Sequence, residues 1–167
     1  MMLSFEQYLI ERKSSNQEVI KKSPEFYTQY KILATAIDGL LDTDCDLVDG
    51  RMDIYRSVEI TSNLSKIPVP IGRVEGDFIA SNIGLTTLEN GPTEVSKNFD
   101  VTRNKITSLY HAPKKVGKNA YLSSNKLTTI KGDLSEVGGD LSIQHQTTKF
   151  GQRDIAGIHV QGRVFYK

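Results

Sequence analysis

The stretch GPTEVSKNFDVTRNKITSLYHAPKKVGKNAYLSSNKLTTI (residues 91–130) reads as two copies of one unit, with Val95 and Val116 twenty-one residues apart. The same interval extends the pattern outward to Val74 and Val137. With each valine as position one, position five is Phe78, Phe99, Ala120 and Leu141, and position seven is Ala80, Val101, Leu122 and Ile143. Such alternation predicts a short strand with one buried face. Position twelve (Leu85, Ile106, Leu127) and position fifteen (Leu88, Leu109, Ile130) supply further apolar anchors. An earlier unit, Ile54–Arg73, fits with one residue removed: Ile54, Val58, Ile60, Asn63, Leu64 and Ile67. Turns rich in Pro and Gly separate the units at Pro68, Pro70, Gly91-Pro92, Ala112-Pro113 and Gly132-Asp133.

A unit this short cannot bury its own apolar side. Stacked at one strand spacing, successive units create a continuous core in which each apolar position meets its copy in the next coil. The expected fold is therefore α+β: a helical head, then a solenoid with one parallel sheet of five or six short strands. Position ten is Asn104 and Asn125 in the two clearest units. An amide there hydrogen-bonds backbone groups where the chain leaves the strand, so both asparagines read as structural. The division expected is a head over 1–53, repeats over 54–157 and a closing strand within 158–167.

The units APKKVGKNAYLSSNKLTTI and GPTEVSKNFDVTRNKITSL resemble the short bacterial leucine-rich repeats, LxLxxNxL followed by a Pro-containing return. The resemblance covers 54–157 and is closest over 95–136. Ile83 and Gln146 depart from it at the asparagine position, one extra residue precedes the strand, and Thr147, Thr148 and Lys149 stand where leucines belong. Tandem units of this style behind a short helical head also resemble proteins of tailed bacteriophages. That resemblance implies a non-enzymatic module acting on a host or virion protein, located in the host cytoplasm or the virion interior.

Residues 1–53 do not repeat. They carry six Lys/Arg against ten Asp/Glu, whereas 54–167 carry fifteen against ten, so the net charge of +1 hides an acidic head and a basic solenoid. Ser4 with Gln7 forms a capping box for an amphipathic helix over 4–13. Ser23-Pro24 starts a second helix, along which Phe26, Tyr30, Leu33, Ile37 and Leu40/Leu41 share one face. That stripe suits a helix covering the open end of the sheet, and equally a dimerisation helix. SFEQYLIE (residues 4–11) is similar to the packaging peptides of internal head proteins in large tailed phages, which a viral protease removes after a hydrophobic-x-Glu sequence. The resemblance makes Glu11 a processing site and Arg12 the first residue of a mature, head-packaged chain; an ordinary amphipathic helix explains the same residues.

The remaining chemistry is sparse. One cysteine, Cys45, rules out an intramolecular disulfide framework and a Cys-based zinc site. No stretch approaches the ~20 apolar residues of a membrane span, and no membrane association is expected. Balanced charge argues against nucleic acid as a partner. His111, His145 and His159 fall in different units, without zinc-ligand spacing, and no nucleophile elbow, phosphate loop or HExxH occurs. No enzyme and no cofactor is expected. Asp42, Asp44, Asp46, Asp49 and Asp53 begin like a calcium loop, but Leu47 occupies the sixth place and Asp53 the twelfth, so a solvated turn reads better. What is left is the outward face of the strands. Position six supplies Glu59, Ile79, Asp100, Tyr121 and Ser142; position eight Thr61, Ser81, Thr102, Ser123 and Gln144; position nine Ser62, Asn82, Arg103, Ser124 and His145. A protein contact through Tyr121, Arg103, Asp100, Ile79, Glu59 and His145 is the expectation, set against a plain solvated strand face. Convex-side lysines (Lys97, Lys114, Lys115, Lys118, Lys131) read as solubilising.

Overall fold

The computed structural model describes residues 24–37, 40 and 44–166. The helix expected over 4–13, the processing site at Glu11, and Leu41 and Asp42 lie outside the described residues. Helix α1 spans Pro24–Ala36, with the proline at its first position as the sequence indicates. Tyr30, Leu33, Ala36 and Ile37 are buried and belong to the same core cluster as the repeats. Ile37 pairs antiparallel with Ile60, and the Ala36 carbonyl accepts the Thr61 N–H at 2.9 Å, so the helix end is fastened to the first coil.

Two strands follow, β1 (Cys45–Val48) and β2 (Arg51–Ile54), paired as an antiparallel hairpin. This replaces the turn expected across the acidic cluster. Asp49 and Gly50 connect the strands with φ of 47° and 76°, the left-handed pair of a two-residue hairpin turn. Cys45, Leu47, Met52 and Ile54 point inward, while Asp46 and Asp53 lie on the other side of the pleat. Asp44 meets Arg56 at 3.2 Å and Asp46 accepts the Tyr55 hydroxyl at 2.8 Å. Asp46 and Asp53 lie on two paired strands and Asp49 in the turn between them, so the described aspartates are spread along a hairpin and not gathered in one loop. Among the described residues no three His, Cys, Asp or Glu side chains gather as for a metal ion.

From β2 onward the chain winds as a parallel β-solenoid of about five turns. The strands are β3 (Val58–Glu59), β4 (Ile71–Val74), β5 (Phe78–Ile79), β6 (Glu94–Val95), β7 (Phe99–Asp100), β8 (Lys115–Val116), β9 (Ala120–Tyr121), β10 (Glu136–Val137), β11 (Leu141–Ser142), β12 (His159–Val160) and β13 (Val164–Phe165). They form two sheets, where the sequence suggested one. The first runs β1-β2-β4-β6-β8-β10-β12 and the second β3-β5-β7-β9-β11-β13. Val74, Val95, Val116 and Val137 are in register on the first sheet, and Phe78, Phe99, Ala120 and Leu141 on the second. The reason is at position three. In one continuous strand that residue would point inward with positions one and five, yet it is Gly76, Lys97, Lys118 or Gly139, and both lysines are exposed. The chain turns a corner there instead.

Position four holds that corner. The Ser57 hydroxyl accepts the Asp77 N–H, Asp77 accepts the Asn98 N–H, Asn98 the Asn119 N–H, Asn119 the Asp140 N–H and Asp140 the Arg163 N–H, at 2.7–3.1 Å. Each short polar side chain thus satisfies the backbone of the next coil where neither sheet reaches. The backbone N–H of Asn98 holds the Asp77 carboxyl below its ordinary range, against partial burial and with help from the Asn98 amide and from Lys97 and Lys118. The backbone N–H of Arg163 does the same at Asp140, against slight desolvation and aided by the Arg163 side chain. Because folding lowers these pKa values, their stabilisation is full above the ordinary carboxylate range and fades as pH falls below about 4. Asp77→Asn keeps an acceptor without the charge. The variant is expected to lose less melting temperature than the wild type between neutral pH and about pH 3, read by thermal melts at both. An equal loss would show that the Asp77 link carries none of the acid sensitivity.

The repeat positions assigned to the core from one, five, seven, twelve and fifteen are buried, except Leu64 of the earliest unit, which is half-buried against the same core. Phe78 and Phe99 stack with ring centroids 5.7 Å apart. At position ten, Asn104 Oδ1 accepts the N–H groups of Ile83, Gly84 and Leu85 at 2.9–3.2 Å, and its Nδ2 donates to the carbonyls of Ala80, Val101 and Thr102. Asn125 accepts from Ile106 and donates to Val101 and Leu122. Gln146, a departure in sequence, fills the same place with its longer amide, accepting from Leu127 and donating to Leu122 and Gln144. At the C-terminal end, the one closing strand anticipated in 158–167 is two. β12 pairs with β10 and β13 with β11, both parallel, so the winding continues to Phe165. No described helix is long and apolar enough to cross a membrane.

Candidate binding face

Strand register fixes the outward column of the second sheet: Glu59, Ile79, Asp100, Tyr121, Ser142 and Phe165 stand opposite one another in sequence. At ordinary strand spacing this column spans about 24 Å. Glu59 is exposed, and Ile79, Asp100, Tyr121 and Ser142 are half-buried. Phe165 was not expected here, because residues 158–166 did not read as another coil. Its register with Ser142 adds an aromatic to the column, and the Arg163 guanidinium lies 5.1 Å from its ring centroid. The signal was present in sequence: Val164 stands at the core place and Phe165 one further on, as Leu141 precedes Ser142.

Several polar groups of this face are already engaged. Asp100 Oδ1 accepts both the N–H and the hydroxyl of Thr102, at 2.9 and 2.8 Å. Ser123 and Ser142 share a hydroxyl hydrogen bond of 2.6 Å, and the Ser123 hydroxyl also accepts the Gln144 N–H. The Tyr121 hydroxyl accepts from Asn119 Nδ2 at 2.9 Å, which fixes the ring's direction and leaves its own proton to donate outward. The hydroxyls of position eight therefore brace the sheet, and the variable chemistry lies at position six.

Position nine departs from expectation. Asn82, Arg103, Ser124 and His145 have φ of 55°, 57°, 59° and 55°, so they form a left-handed turn column where the chain leaves the second sheet, and not part of the strand face. The turn lets the position-ten amide point back into the core. Arg103 and His145 are thereby separated from Asp100 and Tyr121 by the edge of the sheet. Arg103 lies beside an open groove lined also by Ser65, Asn82, Gly84, Lys105 and Lys126.

The first sheet presents a different surface. Its outward column runs Arg73, Glu94, Lys115, Glu136 and His159 in register, alternating in sign along its first four members. Lys115 Nζ lies 2.9 Å from Glu136 Oε1. Exposed pairs of this kind add little stability, but the alternation avoids stacked like charges. Lys115, expected to be merely solubilising, belongs to this ladder. His111 sits in a left-handed turn (φ 65°) whose N–H donates to Asp133 at 2.6 Å.

No protein-family model, curated protein or solved structure matches the chain.

Proposed function

We propose that the protein is a non-enzymatic binding module, a leucine-rich-repeat-type solenoid with a helical head that offers its second sheet to a protein partner. One observation carries the reading: core positions keep their apolar character from coil to coil, while position six changes chemistry in every coil, from Glu59 through Ile79, Asp100, Tyr121 and Ser142 to Phe165. An aliphatic and two aromatic side chains in one column, Ile79, Tyr121 and Phe165, supply the kind of anchors that a recognition face uses. Tyr121 is the central anchor, because its ring is held by Asn119 and lies mid-column. The resemblance to tailed-phage proteins supports a partner among host or virion proteins and a module in the host cytoplasm or virion interior. A head-packaged version injected with DNA to inhibit a host defence enzyme requires virions containing a chain that starts at Arg12; a structural virion component requires stoichiometric presence in the particle.

Tyr121→Ala combined with Arg103→Ala is expected to abolish partner capture from infected cells, with stability kept within about 1 kcal/mol of wild type, as is usual for surface changes. Mass spectrometry of the captured proteins and a thermal melt provide the two readings. Capture undiminished by the double change would move the binding surface away from both this face and the groove beside it, which Arg103 lines.

A further inference from the structure

We infer that the groove beside the second sheet takes an acidic segment of a partner protein, an inference that rests on the reading of the protein as a binding module. Arg103, Lys105 and Lys126 line the groove and are exposed. Among the described residues none of the three makes a side-chain ion pair. No carboxylate lines the groove with them. Lys105 and Lys126 occupy the same position of successive coils, and each backbone N–H is bonded to the coil before, Lys105 to Leu85 and Lys126 to Ile106. Two ammonium-bearing stems are therefore stacked at about one strand spacing, an arrangement that costs stability unless an anion lies between them. On the first sheet the same stacking problem is solved internally, by Glu94 and Glu136 on either side of Lys115. The first sheet pairs its cations within its own column, whereas no carboxylate lines the groove beside Lys105 and Lys126.

Arg103 adds an independent observation. It adopts φ 57°, a region that favours asparagine over a long side chain, and Asn82 makes the same turn one coil earlier. Retaining arginine at that backbone position directs a planar donor fork to the groove, the geometry that matches carboxylates. Protein is favoured over nucleic acid because no aromatic lines the groove to stack a base.

The test is fluorescence anisotropy of the whole protein with a labelled short Glu/Ser peptide at low salt. Saturable binding is expected, weakening about tenfold or more in Lys105→Glu/Lys126→Glu, and staying within about twofold of wild type in Lys114→Glu/Lys131→Glu, which changes net charge equally. Lys105→Gln/Lys126→Gln repeats the measurement without charge reversal if the first variant fails to fold. Arg103→Asn should weaken binding while its melting temperature holds or rises. Absence of saturable binding, equal loss in both lysine pairs, or tighter binding of an oligothymidylate at the same salt would overturn the inference. The groove and the face fail separately: peptide binding lost only on changing Lys105 and Lys126 with capture indifferent to Tyr121 sinks the face, and the converse sinks the groove.

Discussion

Asn104→Ala is expected to destabilise the protein by about 3–5 kcal/mol, well beyond an ordinary surface change. The side chain is buried and serves three N–H groups, of Ile83, Gly84 and Leu85, with one oxygen, and the carbonyls of Ala80, Val101 and Thr102 with its nitrogen. Its load is heavy because the preceding coil carries Ile83 at the corresponding place and has no amide of its own. Deleting the amide orphans backbone groups on two coils at once, and each buried orphan costs about 1–3 kcal/mol. Asn125, with three such bonds, should lose about 1–3 kcal/mol on the same change. Asn104→Asp separates the accepting half of the amide from the donating half. It retains the acceptor but turns the donor into an oxygen facing the Ala80 and Val101 carbonyls, so it should not rescue stability at neutral pH. Urea unfolding of the three variants measures the order. An Asn104→Ala cost no larger than that of Asn125→Ala would show that water replaces the missing amide.

The winding of this chain was legible because a solenoid writes its register into the sequence: a constant interval between valines means a constant interval between coils. Asn104 and Asn125 were legible for the same reason, as polar residues recurring inside an apolar pattern. The second sheet was not read, although Lys97 and Lys118 at an inward-parity position already forbade one continuous strand. Asp49-Gly50 between alternating apolar residues is a hairpin signal that the surrounding aspartates obscured. The corner ladder from Ser57 to Arg163 escaped because its accepting members differ in type and agree only in being short. Of the outward residues, the position-six column could be placed from periodicity alone. Arg103 and His145 could not, since period-two counting continues through a turn that only backbone angles reveal. The groove needs Lys105 and Lys126 from neighbouring coils, and their lack of carboxylate neighbours is a three-dimensional property.

Phe99→Ala is the second large effect, expected at about 3–5 kcal/mol, but its form should differ from that of Asn104→Ala. Phe99 is fully buried, in register with Phe78 on one side and Ala120 on the other, and its ring stacks on Phe78 at 5.7 Å. Ala120 is the smallest member of this column, so a second alanine beside it removes apolar bulk from two successive coils, and side chains there cannot collapse far without breaking the parallel register. In a linear stack each coil is stabilised by its own interactions and by its two neighbours, so a weakened junction lowers the cooperativity between the parts on either side. The head, hairpin and first coils hold a continuous core through Tyr30, Leu33, Ile37, Met52 and Ile54, independent of Phe99. The coils from Val116 onward have Val137, Leu141 and Ile143 but no helix among the described residues. Amide hydrogen exchange under mild denaturant should therefore show protection falling earlier after Phe99 than before it, with a shallower urea transition than that of the wild type. A uniform fall in protection with an unchanged slope would mean that the coils unfold as one unit even across the weakened junction. In that event the corner ladder and the position-ten amides, which continue past Phe99 on both sides, carry the coupling between coils.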